Sequence, residues 1–224
     1  MKLDAGLTGP ALHRTYDIIR TIQLPVGLAW LAAAVLGIGA DLAVESSAGI
    51  QSGNGVLIVY GIALTFVQVW LTRSALRAVG FMRPAQGGSI LDVYLQSILT
   101  GLATLVGLLL LVLPGAFLFA RWYLAATILV QHGGGRRAAM GRSWDLLESH
   151  WPAALGVGLI MFVISVAPFG ADLLELPILI DYPLATIIVG NMLAAVGVIG
   201  GYVSAVALFA LLEPPAGELQ EIFG

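Results

Sequence analysis

The chain has 224 residues, of which 59% are hydrophobic and 10% are charged, with a formal net charge of -3. Soluble domains carry roughly 25% charged residues, so this composition, with a mean hydropathy of +0.96, indicates a membrane protein. The absence of cysteine excludes disulfides and thiolate chemistry, and no basic stripe is large enough to predict a nucleic-acid partner.

Polar and amphipathic stretches precede three of the apolar segments, at 15–25, 89–99 and 142–152. Each stretch combines an acidic residue with aromatic and aliphatic neighbours, a pattern typical of a short helix lying in the membrane interface. We therefore predict such a helix before spans 1, 3 and 5, within a weak threefold repeat. The first belongs to a cytoplasmic N-terminal segment over 1–21. The alternative is that any cytoplasmic approach to a membrane helix has this character.

Six segments are apolar enough to cross the hydrocarbon layer, which takes roughly twenty residues of helix. They cover residues 22–44, 55–71, 95–113, 115–130, 152–168 and 184–212. We therefore predict an all-α, polytopic six-helix transmembrane bundle over 22–213, followed by a cytoplasmic tail over 214–224.

The third and fourth segments form one continuous apolar stretch, which would run on the order of 54 Å as a single helix. We predict that it folds back at Pro114 and Gly115, because proline lacks the amide hydrogen that a continuing helix uses and glycine tolerates tight geometry. The alternative is one long helix kinked at Pro114, which would leave five spans.

The distribution of charge favours six spans over five. Six spans place every Lys and Arg except Arg121 on one side, whereas the opposite loops hold acidic residues such as Asp41, Glu45 and Asp181. By the positive-inside rule, both termini are then cytoplasmic.

Arg121 is the one charged residue in the apolar stretch 113–130. An arginine at the bilayer centre costs about 2.5 to 3.5 kcal/mol, so its side chain must snorkel or find a partner. One interpretation is that its planar fork holds the phosphate of a lipid or substrate. The other is structural, with Arg121 paired to Asp41, Glu45 or Asp181, or bonded to carbonyls at a helix break.

Three further arginines, Arg136, Arg137 and Arg142, follow a run of glycines at the predicted cytoplasmic surface. Each could gain on the order of 1 kcal/mol from anionic lipid, so we predict that they join Arg121 in binding a lipid or anion. Their role in setting the orientation of the chain is a sufficient alternative explanation.

Uncharged polar residues and small residues within the spans predict contacts between helices. Gln68, Gln96 and Asn191 are intramembrane polar side chains that can bridge helices for roughly 0.6 to 2 kcal/mol each. The small-residue ridge of Gly197, Gly201 and Ala205 on the last span predicts close helix packing, with self-association as the alternative. Only the pair His13 and Asp17 has ligand spacing, and such a pair is more often a surface contact; no histidine lies at mid-span, so we expect no metal and no cofactor. No serine has both a histidine and a carboxylate suggested by sequence, so we expect no catalytic residue.

Residues 113–155 contain a group of short motifs that resemble a known family. The matching elements are Leu113-Pro114-Gly115, Arg121-Trp122, Ala138, Arg142-Ser143-Trp144 and Leu146. They resemble the membrane domain that is fused to bacterial glycerophosphoryl diester phosphodiesterases and also occurs alone in small six-span proteins. One departure is Gln131, where the family has an acidic residue. In the fused relatives a separate soluble, metal-binding barrel carries the activity, and we expect this chain to lack that domain and not to be an enzyme.

These observations lead to two functional expectations for a multi-pass protein of the bacterial inner membrane. The first is a non-enzymatic protein that binds or organises lipids, or an accessory subunit of a larger membrane assembly. Its partners would be membrane lipids, other membrane subunits or a second copy of the chain. The alternative is a small transporter or channel that uses a cavity near Arg121.

Overall fold

The computed structural model describes residues 6–46, 50–81, 89–110, 112–173 and 183–213. These residues form nine helices. The helices are α1 (Thr8–Thr21), α2 (Gln23–Ser46), α3 (Ile50–Ala78), α4 (Ile90–Leu110), α5 (Val112–Arg121), α6 (Ala125–His132), α7 (Arg136–Leu146), α8 (Trp151–Leu173) and α9 (Pro183–Leu212). The predicted tail and Asp181 lie outside the described residues.

Six stretches of helix in the described part are long and apolar enough to cross a membrane. They confirm the predicted all-α six-span bundle, with α5 and α6 together forming the fourth span over Val112–His132. Large apolar side chains cover the outer surface, and Leu113 at 82% and Leu109 at 78% are among the most exposed. Soluble monomers rarely expose contiguous apolar surface of this kind, so the exterior suits hydrocarbon.

The last span, α9, is the central helix of the bundle. Its most apolar window is 67% buried, against 17% for that of α4, and it packs against α1, α2, α3, α6 and α8. Its C-terminal half supplies Val203, Leu208 and Phe209, each fully buried. These five helices therefore surround α9, and α4 lies at the periphery with α5 as its main neighbour.

The chain folds back between α4, which ends at Leu110, and α5, which begins at Val112. The hairpin is confirmed, but its turn lies before Pro114 and Gly115. Pro114 occupies the first turn of α5, where its missing N–H breaks no helical hydrogen bond. Gly115 lies against Gly107, and a Cβ added to Gly115 would be 2.5 Å from the backbone nitrogen of Leu108. Glycine is therefore required for close packing of the two helices and not for the turn.

Two of the three predicted interfacial helices are separate elements. Helix α1 buries Ala11, Thr15 and Ile18 and packs against α8 and α9, and α7 precedes α8 but begins at Arg136, before the predicted stretch. The prediction for 89–99 is wrong, because this stretch is the first half of the continuous helix α4. The threefold repeat is therefore incomplete at its second member.

An N-cap at Ser89 explains why α4 begins where it does. The Ser89 hydroxyl accepts the backbone N–H of Asp92 at 3.1 Å and donates to the Asp92 carboxylate at 2.8 Å. The first bond satisfies one of the backbone N–H groups that the first helical turn leaves without a partner, and the second orients the Ser89 hydroxyl. Asp92, the acidic residue that suggested an interfacial helix, therefore lies in the capped first turn of a membrane span.

Candidate functional site

The fourth span is interrupted where Arg121 ends α5 and Ala125 begins α6. At this break the Ala125 N–H bonds to the Trp122 carbonyl at 3.0 Å, so the Arg121 carbonyl receives no helical hydrogen bond from it. The Ser143 hydroxyl on α7 donates to the Arg121 carbonyl at 2.8 Å, and Ser143 is fully buried. A carbonyl freed by a helix break within a membrane bundle needs such a partner. Here the hydrogen bond from Ser143 joins α7 to the middle of the fourth span.

The guanidinium of Arg121 lies in an aromatic environment, and it forms no ion pair with any residue that the structure describes. Arg121 is 6% exposed, and its Cζ lies 4.3 Å from the ring centroid of Trp144 and 5.7 Å from that of Phe117. Its Nε has no hydrogen-bond partner in the described part of the chain. The prediction of a pair with Asp41 or Glu45 is wrong.

The rings around Arg121 come from elements that are distant in sequence. Trp144 lies 5.6 Å from Phe117 and 6.2 Å from Trp122 between centroids, and Phe117 lies 5.4 Å from Trp151. Thus the Arg121-Trp122 and Ser143-Trp144 motifs, which suggested a family resemblance, contact each other. Cation–π contact of this kind contributes about 0.5 to 2 kcal/mol, so it helps the bundle to accept a buried arginine.

A groove of about 970 Å³ lies between α4 and α7, beside this aromatic cluster. One end is lined by Asp92, Arg136 and Arg137, whereas the other end includes Ala103 and Trp144. Asp92 and Ala103 are about 16 Å apart along α4 at 1.5 Å per residue. The groove is therefore charged at one end and apolar at the other. Sequence analysis included Arg136 and Arg137 but missed Asp92, Ala103 and Trp144 as groove residues.

The charged end of the groove carries more positive than negative charge. Arg136 and Arg137 are exposed in the first turn of α7, and the preceding Gly135 has a φ of 89°, a left-handed value that glycine adopts readily. The Arg136 Nε lies 3.9 Å from one Asp92 oxygen, and the other Asp92 oxygen accepts the Ser89 hydroxyl. This loose contact leaves most donors of the two guanidinium groups available to a ligand.

Arg142 lies away from the groove, although it was predicted to bind the same lipid or anion. Its guanidinium forms an ion pair with Glu213 at the end of α9. The same Glu213 oxygen lies 4.0 Å from Nε2 of His132 at the end of α6. Arg142 therefore joins α7 to α9, and Arg121, buried behind Trp144, does not meet Arg136 and Arg137 in one ligand site.

The intramembrane polar residues are dispersed and do not converge on Arg121. Asn191 donates to Asp41 at 2.7 Å and so bridges α9 and α2. Gln96 donates to Thr100 at 2.8 Å within its own helix, and Gln68 lines a cavity between helices.

The small-residue ridge of α9 packs inside the chain. A Cβ added to Gly197 would lie 2.4 Å from the backbone nitrogen of Ser165 on α8. One turn along, the Gly201 carbonyl accepts the Tyr123 hydroxyl at 3.3 Å, and Ala205 is 7% exposed. These contacts give the ridge a role in helix packing within one molecule.

Comparison with protein-family models, with curated proteins and with solved structures finds no match for this chain. Among the described residues, no group of three or more His, Cys, Asp or Glu side chains could hold a metal ion. The site must therefore be interpreted from its own geometry.

Proposed function

We propose that this chain is a non-enzymatic integral membrane protein that binds an anionic phospholipid in the groove between α4 and α7. The lipid phosphate would lie against Arg136 and Arg137, and an acyl chain would lie along Leu99, Ala103 and Trp144. The observation that carries the proposal is the amphiphilic character of the groove, with its charge confined to one end.

Charge and position support a lipid as the occupant. Two arginines face one carboxylate at the charged end, so a net anionic headgroup is favoured, and planar guanidinium groups bind phosphate oxygens in pairs. The groove borders α4, whose outward Leu99, Leu102 and Leu105 are 49%, 55% and 52% exposed. A lipid could therefore enter sideways from the surrounding leaflet.

The proposal extends to location and family. Arginine-rich segments at one end of the spans support a cytoplasmic position for that end and for both termini. The motif resemblance supports a bacterial inner membrane and a place beside the stand-alone six-span relatives of the phosphodiesterase membrane domain. A lipid-binding chain of this kind would organise lipids or serve as an accessory subunit of a larger assembly.

The alternative function is a small transporter or channel built around Arg121. That function requires the guanidinium to face a cavity that a substrate can reach. Its burial behind Trp144 instead supports a role in holding α7, so we rank lipid binding first.

Lipid titration of the full chain, followed by native mass spectrometry, tests the proposal. Phosphatidylglycerol and phosphatidylethanolamine are added to the detergent-solubilised protein, and the double variant Arg136→Ala/Arg137→Ala is compared with the matched variant Arg20→Ala/Arg77→Ala. The second pair removes equal charge from exposed positions outside the groove.

We expect the groove variant to bind phosphatidylglycerol on the order of tenfold or more weakly, because each arginine contributes about 1 kcal/mol. The control should retain wild-type binding. Ala103→Phe, which fills the apolar end without changing charge, should also weaken lipid binding but leave binding of inorganic phosphate unchanged. Equal phosphatidylglycerol binding by the two double variants would refute the proposal.

A further inference from the structure

A second cavity, of about 330 Å³, lies between α3, α6, α8 and α9 and is distinct from the groove. Its polar lining includes Gln68 and Thr72 on α3, Thr127 on α6 and Tyr202 on α9. Ser165 on α8 also lines it, but its hydroxyl bonds to the Phe162 carbonyl. Thr72 and Thr127 are 4% and 2% exposed. The cavity is therefore lined by several polar side chains that belong to the membrane spans.

These four side chains form no hydrogen bond with another described residue. Other buried threonines of the chain behave differently, because Thr65 donates to the carbonyl of the residue four positions earlier at 2.8 Å. Such back-bonding is the usual solution for a threonine in a helix. Thr72 and Thr127 are buried, whereas Gln68 and Tyr202 are partly exposed. Buried polar groups in proteins normally have hydrogen-bond partners, so two such hydroxyls lining one cavity, with two further polar groups beside them, point to a ligand that supplies the partners.

The lining selects the chemistry of that ligand. The described residues around the cavity include no Asp, Glu, Lys, Arg or His, and an unpaired charge would be strongly disfavoured there. Hydroxyl groups and the Gln68 amide can both donate and accept, while Phe119, Met161 and the Tyr202 ring offer apolar walls. A water molecule occupies about 30 Å³ of liquid, so the cavity has room for on the order of ten waters or for a small ligand of the same volume.

We propose that this cavity binds a small, uncharged polyhydroxylated molecule of the size of a triol or a monosaccharide. Gln68, Thr72, Thr127 and Tyr202 are its hydrogen-bonding residues. Tyr123 also lines the cavity. Its hydroxyl is already hydrogen-bonded to Ser204 at 2.7 Å, so we do not count it among the ligand-binding groups. The site is independent of the lipid groove, so either proposal can fail without the other.

Saturation-transfer difference NMR on the full chain in micelles detects weak binding and tests this proposal. The neutral probes are glycerol and glucose, and glycerol 3-phosphate is the charged probe. Thr72→Val/Thr127→Val removes two hydroxyls while keeping the side-chain shape, and it breaks no hydrogen bond within the described chain. Thr65→Val is the matched control on α3, because its hydroxyl bonds to its own helix outside the cavity.

We expect at least one neutral probe to bind wild type and Thr65→Val equally, and to bind the double variant on the order of tenfold or more weakly. Glycerol 3-phosphate should give no signal above background. If the double variant does not fold, Gln68→Met alone should give the same loss. Binding of neither neutral probe, equal binding of the charged probe, or undiminished binding by the folded variant would overturn the proposal.

Discussion

The contact between Gly107 and Gly115 predicts a large and specific effect of adding one methyl group to the α4–α5 hairpin. In Gly115→Ala the new Cβ would lie 2.5 Å from the Leu108 nitrogen, and in Gly107→Ala it would lie 2.7 Å from the Gly115 Cα. Neither neighbour is a flexible side chain, so the helices must move apart. Overpacking of this kind costs about 1 to 3 kcal/mol.

Gly101→Ala provides the matched control on the same hairpin, because a Cβ added there meets nothing within 4 Å. All three substitutions gain the same helix propensity, about 1 kcal/mol in water, so the difference between variants isolates the steric term. We expect Gly115→Ala to be about 1 to 3 kcal/mol less stable than Gly101→Ala.

Reversible unfolding by sodium dodecyl sulfate in mixed micelles, followed by tryptophan fluorescence, measures these free energies. The double variant Gly107→Ala/Gly115→Ala should lose less than the sum of the single losses, because one separation of the helices relieves both clashes. Equal unfolding midpoints for Gly115→Ala and Gly101→Ala would refute the close packing of the hairpin.

Two further predictions concern the helix break and the orientation of the bundle. Ser143→Ala leaves the carbonyl at the end of α5 without its donor and should lower the free energy of unfolding by about 1 to 3 kcal/mol. The control Ser165→Ala removes an exposed hydroxyl and should change this free energy little. Equal effects of the two variants in the same unfolding assay would contradict the proposed contact between α7 and the fourth span. Because the chain has no cysteine, single introduced cysteines can report its orientation in the membrane. A membrane-impermeant maleimide should label Ser46→Cys in intact cells, but Arg77→Cys only after permeabilisation. The reverse labelling pattern would exclude cytoplasmic termini.

The spans could be predicted from sequence because membrane insertion depends on properties that are local in the chain. A run of apolar residues must form a helix to satisfy its backbone groups in hydrocarbon, so all six spans follow from hydropathy. The fold-back near Pro114 could also be predicted, because proline lacks the amide hydrogen that a continuing helix uses. The position of the turn could not be predicted, because it depends on where Gly107 and Gly115 allow the two backbones to meet.

The candidate site was less predictable because it depends on contacts between distant segments. Arg136 and Arg137 could be found as a cationic pair, but their position opposite Asp92 depends on how α7 packs beside α4. The stacking of Arg121 on Trp144 likewise requires the break in the fourth span, which hydropathy does not reveal. Sequence suggested carboxylates as partners for Arg121, whereas the structure supplies aromatic rings.

The magnitudes around Arg121 explain why a positioning role is more consistent than a stabilising one. Burying an arginine in the membrane costs about 2.5 to 3.5 kcal/mol, and cation–π contact returns about 0.5 to 2 kcal/mol, so the contact offsets only part of the cost. The arginine instead orients Trp144, because its planar guanidinium lies over the Trp144 ring. The same Trp144 side chain lines the groove. Ser143 bonds to the backbone carbonyl of the same residue, so two contacts hold α7 against the fourth span at position 121, and we propose that they set the width of the groove lined by Arg136 and Arg137.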